Sequence, residues 1–424
     1  VIRVKRYVSL MEQSVPVELV VPAGSMETLE AGLRYGADAL YFGPARWSLR
    51  AGNEDFGLEE IGRAIDRTVG AGKKAYVTLN SVLTNSDIEE SARFIDALAD
   101  FPVSAVIISD PALVAPLKAR TVPFHVSTQA NVSNWAAARF WKEQGALRVI
   151  LARELSIHEI GEVCDTSGIE CEVFAHGAMC MAYSGRCLLS DYLTYRSSNR
   201  GLCSHVCRTP FSVANKDGDM AVEEHDGKTY LFNSRDLCSL PLLDRLIAAG
   251  VRALKIEGRN KSAHYISIVT KVYREAIDSL REAGGQWRVR PEWLEALNSV
   301  SNRGYTTGFY QELEYTHFRQ NYKNARAKQE WALAGIVREA LPGNRAVVDV
   351  KNQFSASNAL TLASPEQGVF CEEAHVLSIT DVDGKPRERP NPNDIVIMRF
   401  ERKVPAGSLL RVRGKGSEGQ RAKG

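Results

Sequence analysis

The sequence lacks several of the signatures by which function is usually read. No apolar run approaches the ~18 residues that a membrane-crossing helix requires. No G-x-G-x-x-G follows the first predicted strand, which argues against a dinucleotide fold, and no G-x-S-x-G marks a serine nucleophile elbow. The opening residues, VIRVKRYVSLMEQS, are basic but hold neither an apolar core of ~7 residues nor a small-residue cleavage site. A cytoplasmic protein with reduced thiols is therefore expected. The net charge is only +2 over 424 residues, too small to attract polyanions globally. Tandem repeats and low-complexity stretches are also missing. The length allows two to three domains, or one large barrel with an appendage.

What the sequence does have is cysteine in one place. Five of the eight cysteines are Cys180, Cys187, Cys203, Cys207 and Cys238, spaced C-x6-C-x15-C-x3-C-x30-C. In a chain kept reduced, this density points to a metal or cluster before it points to disulfides. Structural zinc favours two tight knuckles, and only Cys203 and Cys207 form one. A [4Fe-4S] cluster suits scattered thiolates better. Spacing alone leaves the cluster, zinc and unligated thiols all open. Cys164, Cys171 and Cys371 read as core thiols.

The rest of the chain alternates. Short apolar runs at 17–23, 39–43, 74–80, 103–110, 124–130, 148–154, 171–175 and 252–257 read as strands, separated by helical stretches. Eight such units predict an α/β fold, a (β/α)8 TIM-like barrel over 15–284, with an open doubly wound sheet as the alternative. A helical and basic connector follows at 285–330. About six turn-punctuated strands then predict a small C-terminal β-barrel domain at 331–415, and 416–424 reads as a flexible tail. Basic residues cluster at Arg319, Lys323, Arg326 and Lys328, and again at Arg402, Lys403, Arg411, Arg413, Lys415, Arg421 and Lys423. They could track phosphates or simply form a solvated face.

In such a barrel the site lies at the carboxyl ends of the strands. The residues there are polar: Asn80, Asp110, Gln129, Asn131, Arg153, Glu154, His176, Glu257 and Arg259. His176, where the seventh strand is expected to end, reads as structural or catalytic with equal weight. Gln129, Asn131, Glu257 and Arg259 could orient a small anion; the alternative is a rim salt bridge of Glu257 with Arg259 or Arg153. Lys255 lies within the eighth strand, with its direction undetermined. A Cys180–His176 nucleophile pair is conceivable, but five neighbouring thiols would compete with it.

The run FAHGAMCMAYSGRCLLS, continuing to NRGLCSHVCR, resembles the signature of the collagenase-like peptidase family, peptidase family U32. ELVVPAGSMETLEAGLRYGADALYFG, STQANVSNW, RVILARELS, NSRDLCSL and ALKIEGRNKS extend the resemblance from about residue 18 to about residue 278. The resemblance implies an oxygen-independent hydroxylation protein carrying a [4Fe-4S] cluster, zinc being the alternative. QANVSNW, HGAMCMAYSGRCLLSDYL and the continuation past residue 330 resemble the branch that makes 5-hydroxyuridine at the tRNA wobble position with a prephenate-like donor. The chain is shorter between 208 and 230 than some members of that branch. Carried over, the cluster ligands are Cys180, Cys187, Cys203 and Cys238, with Cys207 in reserve. His176 and Glu257 are then catalytic candidates, and Gln129, Asn131, Arg153, Arg186 and Arg259 substrate-binding ones. The expected partners are tRNA, a small carboxylate donor and an unnamed electron donor, with no membrane. The competing readings are a peptidase, a hydroxylase of 23S rRNA cytidine or of a ubiquinone precursor, and a non-catalytic partner in such a complex.

Overall fold

A computed structural model describes residues 16–49, 56–209, 232–283, 287–311, 319, 321, 328–355, 357–366 and 368–413. Lys323, Arg326, Lys415, Arg421, Lys423, the expected tail and the first fifteen residues lie outside them.

The first domain alternates strand and helix. Its strands are β1 (Glu18–Pro22), β2 (Ala39–Phe42), β3 (Lys74–Leu79), β4 (Ala105–Ile108), β5 (Phe124–Val126), β6 (Arg148–Ile150), β7 (Glu170–Ala178), β8 (Asp236–Cys238) and β9 (Ala253–Ile256). The intervening helices are α1 (Met26–Arg34), α2 (Leu58–Gly70), α3 (Ile88–Leu98), α4 (Val114–Ala119), α5 (Trp135–Glu143), α6 (Ile157–Ser167), α7 (Leu189–Thr194), α8 (Leu243–Ala248) and α9 (Ala263–Glu282). Strands β1 to β7 pair in order and in parallel. β9 closes the ring by pairing with both β1 and β7. The result is the eight-stranded parallel barrel that the alternation implies. Its strands are nearly continuous apolar runs because they are covered inside by side chains and outside by helices. Ser25 caps α1 in a capping box with Thr28, and Ser156 caps α6 in one with Glu159.

One layer of the barrel interior is ionic. Arg148 of β6 contacts Glu18 of β1 at 2.7 Å and Glu172 of β7 at 3.1 Å, and Lys255 of β9 reaches Glu172 at 3.0 Å. All four are buried. Tyr76 donates its hydroxyl to Glu18 at 2.7 Å. Lys255 also lies 4.0 Å from the centre of the Tyr41 ring. At Glu18, burial raises the carboxyl pKa, but hydrogen bonds and charge from Arg148, then Lys74 and Tyr76, win and hold it at about 2.

β8 lies outside the ring. It pairs antiparallel with the end of β7 (His176↔Cys238, Ala178↔Asp236) and in parallel with β10 (Tyr305–Thr306). β10 follows helix α10 (Pro291–Ser299).

The C-terminal domain is a seven-stranded, curled antiparallel sheet. Its strands are β11 (Trp331–Leu341), β12 (Arg345–Val350), β13 (Leu360–Ala363), β14 (Glu372–Ala374), β15 (Val376–Asp381), β16 (Ile395–Phe400) and β17 (Leu409–Arg413), in the order β14-β13-β17-β11-β12-β16-β15. It has its own core around Val348, Met398 and Leu410. It docks on the outer helices through main-chain oxygens. Tyr35 donates to the carbonyls of Ala363 and Gly407 at 3.1 and 3.0 Å, and Lys271 donates to the Ser364 carbonyl at 2.6 Å. Helix α9 is consequently buried on nearly every face from Ala263 to Ile277. Among the described residues no helix is long and apolar enough to cross a membrane.

Candidate active site

The carboxyl ends of the barrel strands open onto a cavity of about 160 Å³. Its floor mixes apolar strand residues, Ile107, Ile150 and Phe174 among them, with the polar Thr78, Asn80, Ser127, Lys255, Glu257 and Arg259. Its outer wall is the segment after β7, including Cys180, Arg186, Cys187, Cys203, Cys207 and Arg208. Two larger hollows lie elsewhere. One, of about 520 Å³, sits at the opposite end of the barrel beside Glu18, Lys74 and Arg252. The other, of about 560 Å³, lies on the C-terminal domain. Neither is lined by the carboxyl ends of the barrel strands or by a thiol, so the smaller cavity is the candidate site.

The floor residues are fixed before any ligand arrives. Arg259 donates to Thr78 Oγ1 at 2.9 Å and to Ser48 Oγ. Asn80 donates to Ser127 Oγ at 3.1 Å and accepts from the Leu49 N–H at 3.1 Å. The sequence reading left Lys255 undirected, but it points inward, held by Glu172 and lining the cavity. Alternation could not orient it, because β9 is buried on both faces; its partner Glu172, on β7, fixes the direction.

The cysteine-bearing segment is pinned to the rim at several points. The Ser184 N–H and hydroxyl both donate to Glu154 at 2.9 and 3.2 Å. Gly185 has φ +75°, and a Cβ there would collide with the Gln129 carbonyl, so only glycine permits this approach. Arg153 donates to the Ala178 carbonyl at 3.1 Å and stacks over Phe174 at 5.3 Å. Burial would lower the Arg153 pKa, but a hydrogen bond and charge interaction with Cys180, together with Glu257 and Glu154, raise it. Farther on, Ser198 donates to the Cys187 carbonyl at 2.7 Å, and Arg200 pairs with Asp87 at 3.0 Å.

Four thiols share this rim. Burial pushes the Cys207 thiol pKa up; Arg208 opposes, and the neighbouring thiols of Cys180, Cys203 and Cys187 add to the rise. Cys238 stands apart. It is buried on β8 and accepts from the Tyr273 hydroxyl at 3.9 Å. Burial pushes its thiol up to about 11, and it does not line the cavity. The structure thus brings the reserve residue, Cys207, together with Cys180, Cys187 and Cys203. Among the described residues, no three His, Cys, Asp or Glu side chains are grouped to hold a single metal ion.

His176 also lies away from the cavity lining. β7 does not end at residue 175 but runs on to Ala178, because β8 pairs with its extension. A register shift between Phe174 and His176 breaks the alternation. Phe174 therefore lines the cavity, while His176 faces Tyr265 and Tyr273 of α9 and Tyr305 of β10. Its Nδ1 is 3.4 Å from the Tyr273 hydroxyl, and its ring centre is 5.1 Å from that of Tyr305. Burial, then the charge of Lys261, lowers its pKa to about 3, so the ring is neutral.

The other candidates divide. Gln129, Arg153, Arg186, Glu257 and Arg259 all line the cavity. Asn131 does not. It is the left-handed residue (φ 55°) ending a 3-10 turn over Thr128–Ala130 that replaces the expected end of the fifth strand. Of the two basic clusters, Arg411 is buried against the Phe370 carbonyl and Ser299, and Arg402 pairs with Glu372. Sequence reasoning missed His205 and Arg208 as lining residues. Their proximity to two cysteines was the available signal.

Comparison with known proteins adds a lineage to this geometry. The model of "Peptidase family U32" matches residues 24–319, and that of "Peptidase family U32 C-terminal domain" matches residues 329–411. The tRNA hydroxylation protein P1 of Bacillus subtilis (strain 168) is 34% identical over 400 residues, covering 93% of this chain and 94% of its own. The tRNA hydroxylation protein P of Escherichia coli (strain K12) is 33% identical, covering 89% and 94%. A protein named collagenase from Porphyromonas gingivalis (strain ATCC BAA-308 / W83) is 36% identical over 71% of this chain and 75% of its own.

Proposed function

The chain belongs to peptidase family U32, and from that premise we propose that it is an oxygen-independent tRNA hydroxylase. In this reading it makes 5-hydroxyuridine at the wobble position with a [4Fe-4S] cluster and a small prephenate-like carboxylate as oxygen donor. The observation that carries the reading is the rim itself: four thiols facing a cationic cavity at the carboxyl end of a barrel. Near full-length similarity to proteins named for tRNA hydroxylation supports it.

The donor set fits the group in kind, since it offers four thiols and no carboxylate among them. Cys180, Cys187, Cys203 and Cys207 would hold the cluster. When bound, it supplies one-electron chemistry. Arg259, fixed by Ser48 and Thr78, and Arg186 and Lys255 would hold the donor carboxylates, arginine being suited to bidentate recognition. Arg153, bound to Cys180 and the Ala178 carbonyl, would orient the ligand-bearing segment. Glu257, which lines the cavity beside Arg153, would be the carboxylate that accepts a proton there. A peptidase built on a Cys180–His176 pair finds no support, because His176 faces Tyr273 and lies outside the cavity lining.

The test is nucleoside analysis of tRNA from a strain in which the gene is deleted. The expected result is loss of 5-hydroxyuridine, restored by the native gene and not by one encoding Cys180→Ser. Undiminished 5-hydroxyuridine in the deletion strain would overturn the proposal.

A further inference from the structure

Exposed apolar side chains are not spread evenly over this molecule. Among the described residues, seven of the seventeen exposed large hydrophobics fall within residues 181–202, including all three exposed tyrosines: Tyr183, Tyr192 and Tyr195. Tyr192 and Tyr195 are 82% and 94% exposed. Single exposed apolar residues are ordinary, but a concentration of this kind marks an interaction site.

The local fold creates this exposure by turning a helix inside out. In α7 the hydroxyl residues face inward. Ser190 Oγ donates to the Arg196 carbonyl at 2.6 Å and lies 2.9 Å from Ser204 Oγ, and Thr194 Oγ1 lies 2.8 Å from the same Ser204 oxygen. These bonds stitch the polar face of the helix to the cysteine segment. Tyr192 and Leu193 are left outside, and the left-handed residue Tyr195 (φ 54°) stands beyond the helix end. An amphipathic helix normally does the reverse.

Charge decides which partner this surface fits. Between 180 and 209 there are four arginines, Arg186, Arg196, Arg200 and Arg208, and one acid, Asp191. Arg200 is already paired with Asp87, but Arg186 and Arg196 are exposed and Arg208 lines the cavity. Protein-binding patches also enrich tyrosine and arginine, but charge is depleted at their centres, whereas here cations outnumber acids four to one. Aromatic faces interleaved with arginines instead suit unpaired nucleotides, whose bases stack on the rings while phosphates meet the cations. The surface is also continuous with the candidate site, because Tyr183 and Arg186 both stand exposed on it and line the cavity. We infer that this tyrosine–arginine collar is where single-stranded RNA docks, stacking the bases that flank the one delivered into the cavity. This rests on the RNA reading above and locates its substrate. It places the main RNA contact at the barrel mouth rather than on the C-terminal basic residues, of which Arg411 is buried and Arg402 is paired.

The experiment uses the full chain, purified without oxygen, and a fluorescently labelled anticodon stem-loop RNA, read by polarisation. The native protein is expected to bind the stem-loop and to bind an RNA duplex of equal length far more weakly. The Tyr192→Ala/Tyr195→Ala variant should weaken stem-loop binding by roughly tenfold for each tyrosine that stacks. Tyr192→Phe/Tyr195→Phe, which keeps the ring faces, should bind like the native chain. If the alanine variant has native circular dichroism and native affinity, the collar is not the RNA surface, and the RNA reading stands without it. If the native protein binds no RNA, both fall. If light scattering shows a native dimer that the alanine variant converts to monomer with RNA binding unchanged, the surface belongs to a second copy of the chain and the inference is overturned.

Discussion

Arg148 shows how a single residue can matter to the fold without being visible in the sequence. Read locally, it is a charge at the start of a strand. In the barrel it is buried between Glu18 and Glu172, two carboxylates from strands far apart in the chain. Removing one partner of a buried ion pair leaves an uncompensated charge, which costs more than the pair contributes. Arg148→Ala is therefore expected to destabilise the protein by about 3–5 kcal/mol, and Arg148→Met with Glu18→Gln by less, measured by urea unfolding at pH 7. The pH dependence follows from Glu18. Its carboxyl falls from an ordinary 4.5 to about 2 on folding. Its contribution is thus complete above pH 4.5 and is lost as pH falls toward 2. Urea midpoints measured down that range should drop, and the drop should shrink in Glu18→Gln. An equal drop in that variant would remove Glu18 as its source. The cysteines are the opposite case. Their clustering could be read from spacing, whereas the partners of Cys238 and His176 could not, because Tyr273 lies on a helix far along the chain.

At the scale of elements, the sequence located the barrel strands and most helices, because burial on both faces writes an apolar run and a cap writes a serine. It did not locate β8 or α7. β8 has three residues and exists because it pairs with the end of β7, a partner some sixty residues earlier. α7 has six residues, too few for a period to register, and its apolar side faces outward. The cysteine-bearing segment depends on such tertiary anchors, among them the close approach of Gly185 to the Gln129 carbonyl. Gly185→Ala must introduce a Cβ at positive φ into the Gln129 carbonyl. It is expected to lower stability by at least about 1 kcal/mol and to make residues 180–209 the first site of limited proteolysis. Native stability and native protease resistance in that variant would show that the segment is anchored elsewhere.

The whole molecule is a barrel with a second domain docked on its outer helices, partly at the mouth end, where Lys351 pairs with Glu27 in the first turn of α1. The C-terminal sheet meets the outer helices through Tyr35 and Lys271, while the thiol rim and the collar lie at the strand ends. That division was only partly legible. The change of period near residue 331 announced a β-rich unit. Its docking, through side chains that bond main-chain carbonyls, left no pattern in the sequence and withdrew Arg411 from the basic surface it seemed to belong to. The proposed function depends on an iron–sulfur cluster held at the thiol rim. The most direct test is iron and acid-labile sulfide analysis, with an absorption spectrum, of protein purified without oxygen. It would be applied to the native chain and to Cys180→Ser, Cys187→Ser, Cys203→Ser, Cys207→Ser and Cys238→Ser. About four irons and four sulfides per native chain are expected, lost in the first four variants and retained in Cys238→Ser. Stoichiometric zinc, or a folded native protein without iron, would contradict the proposed function.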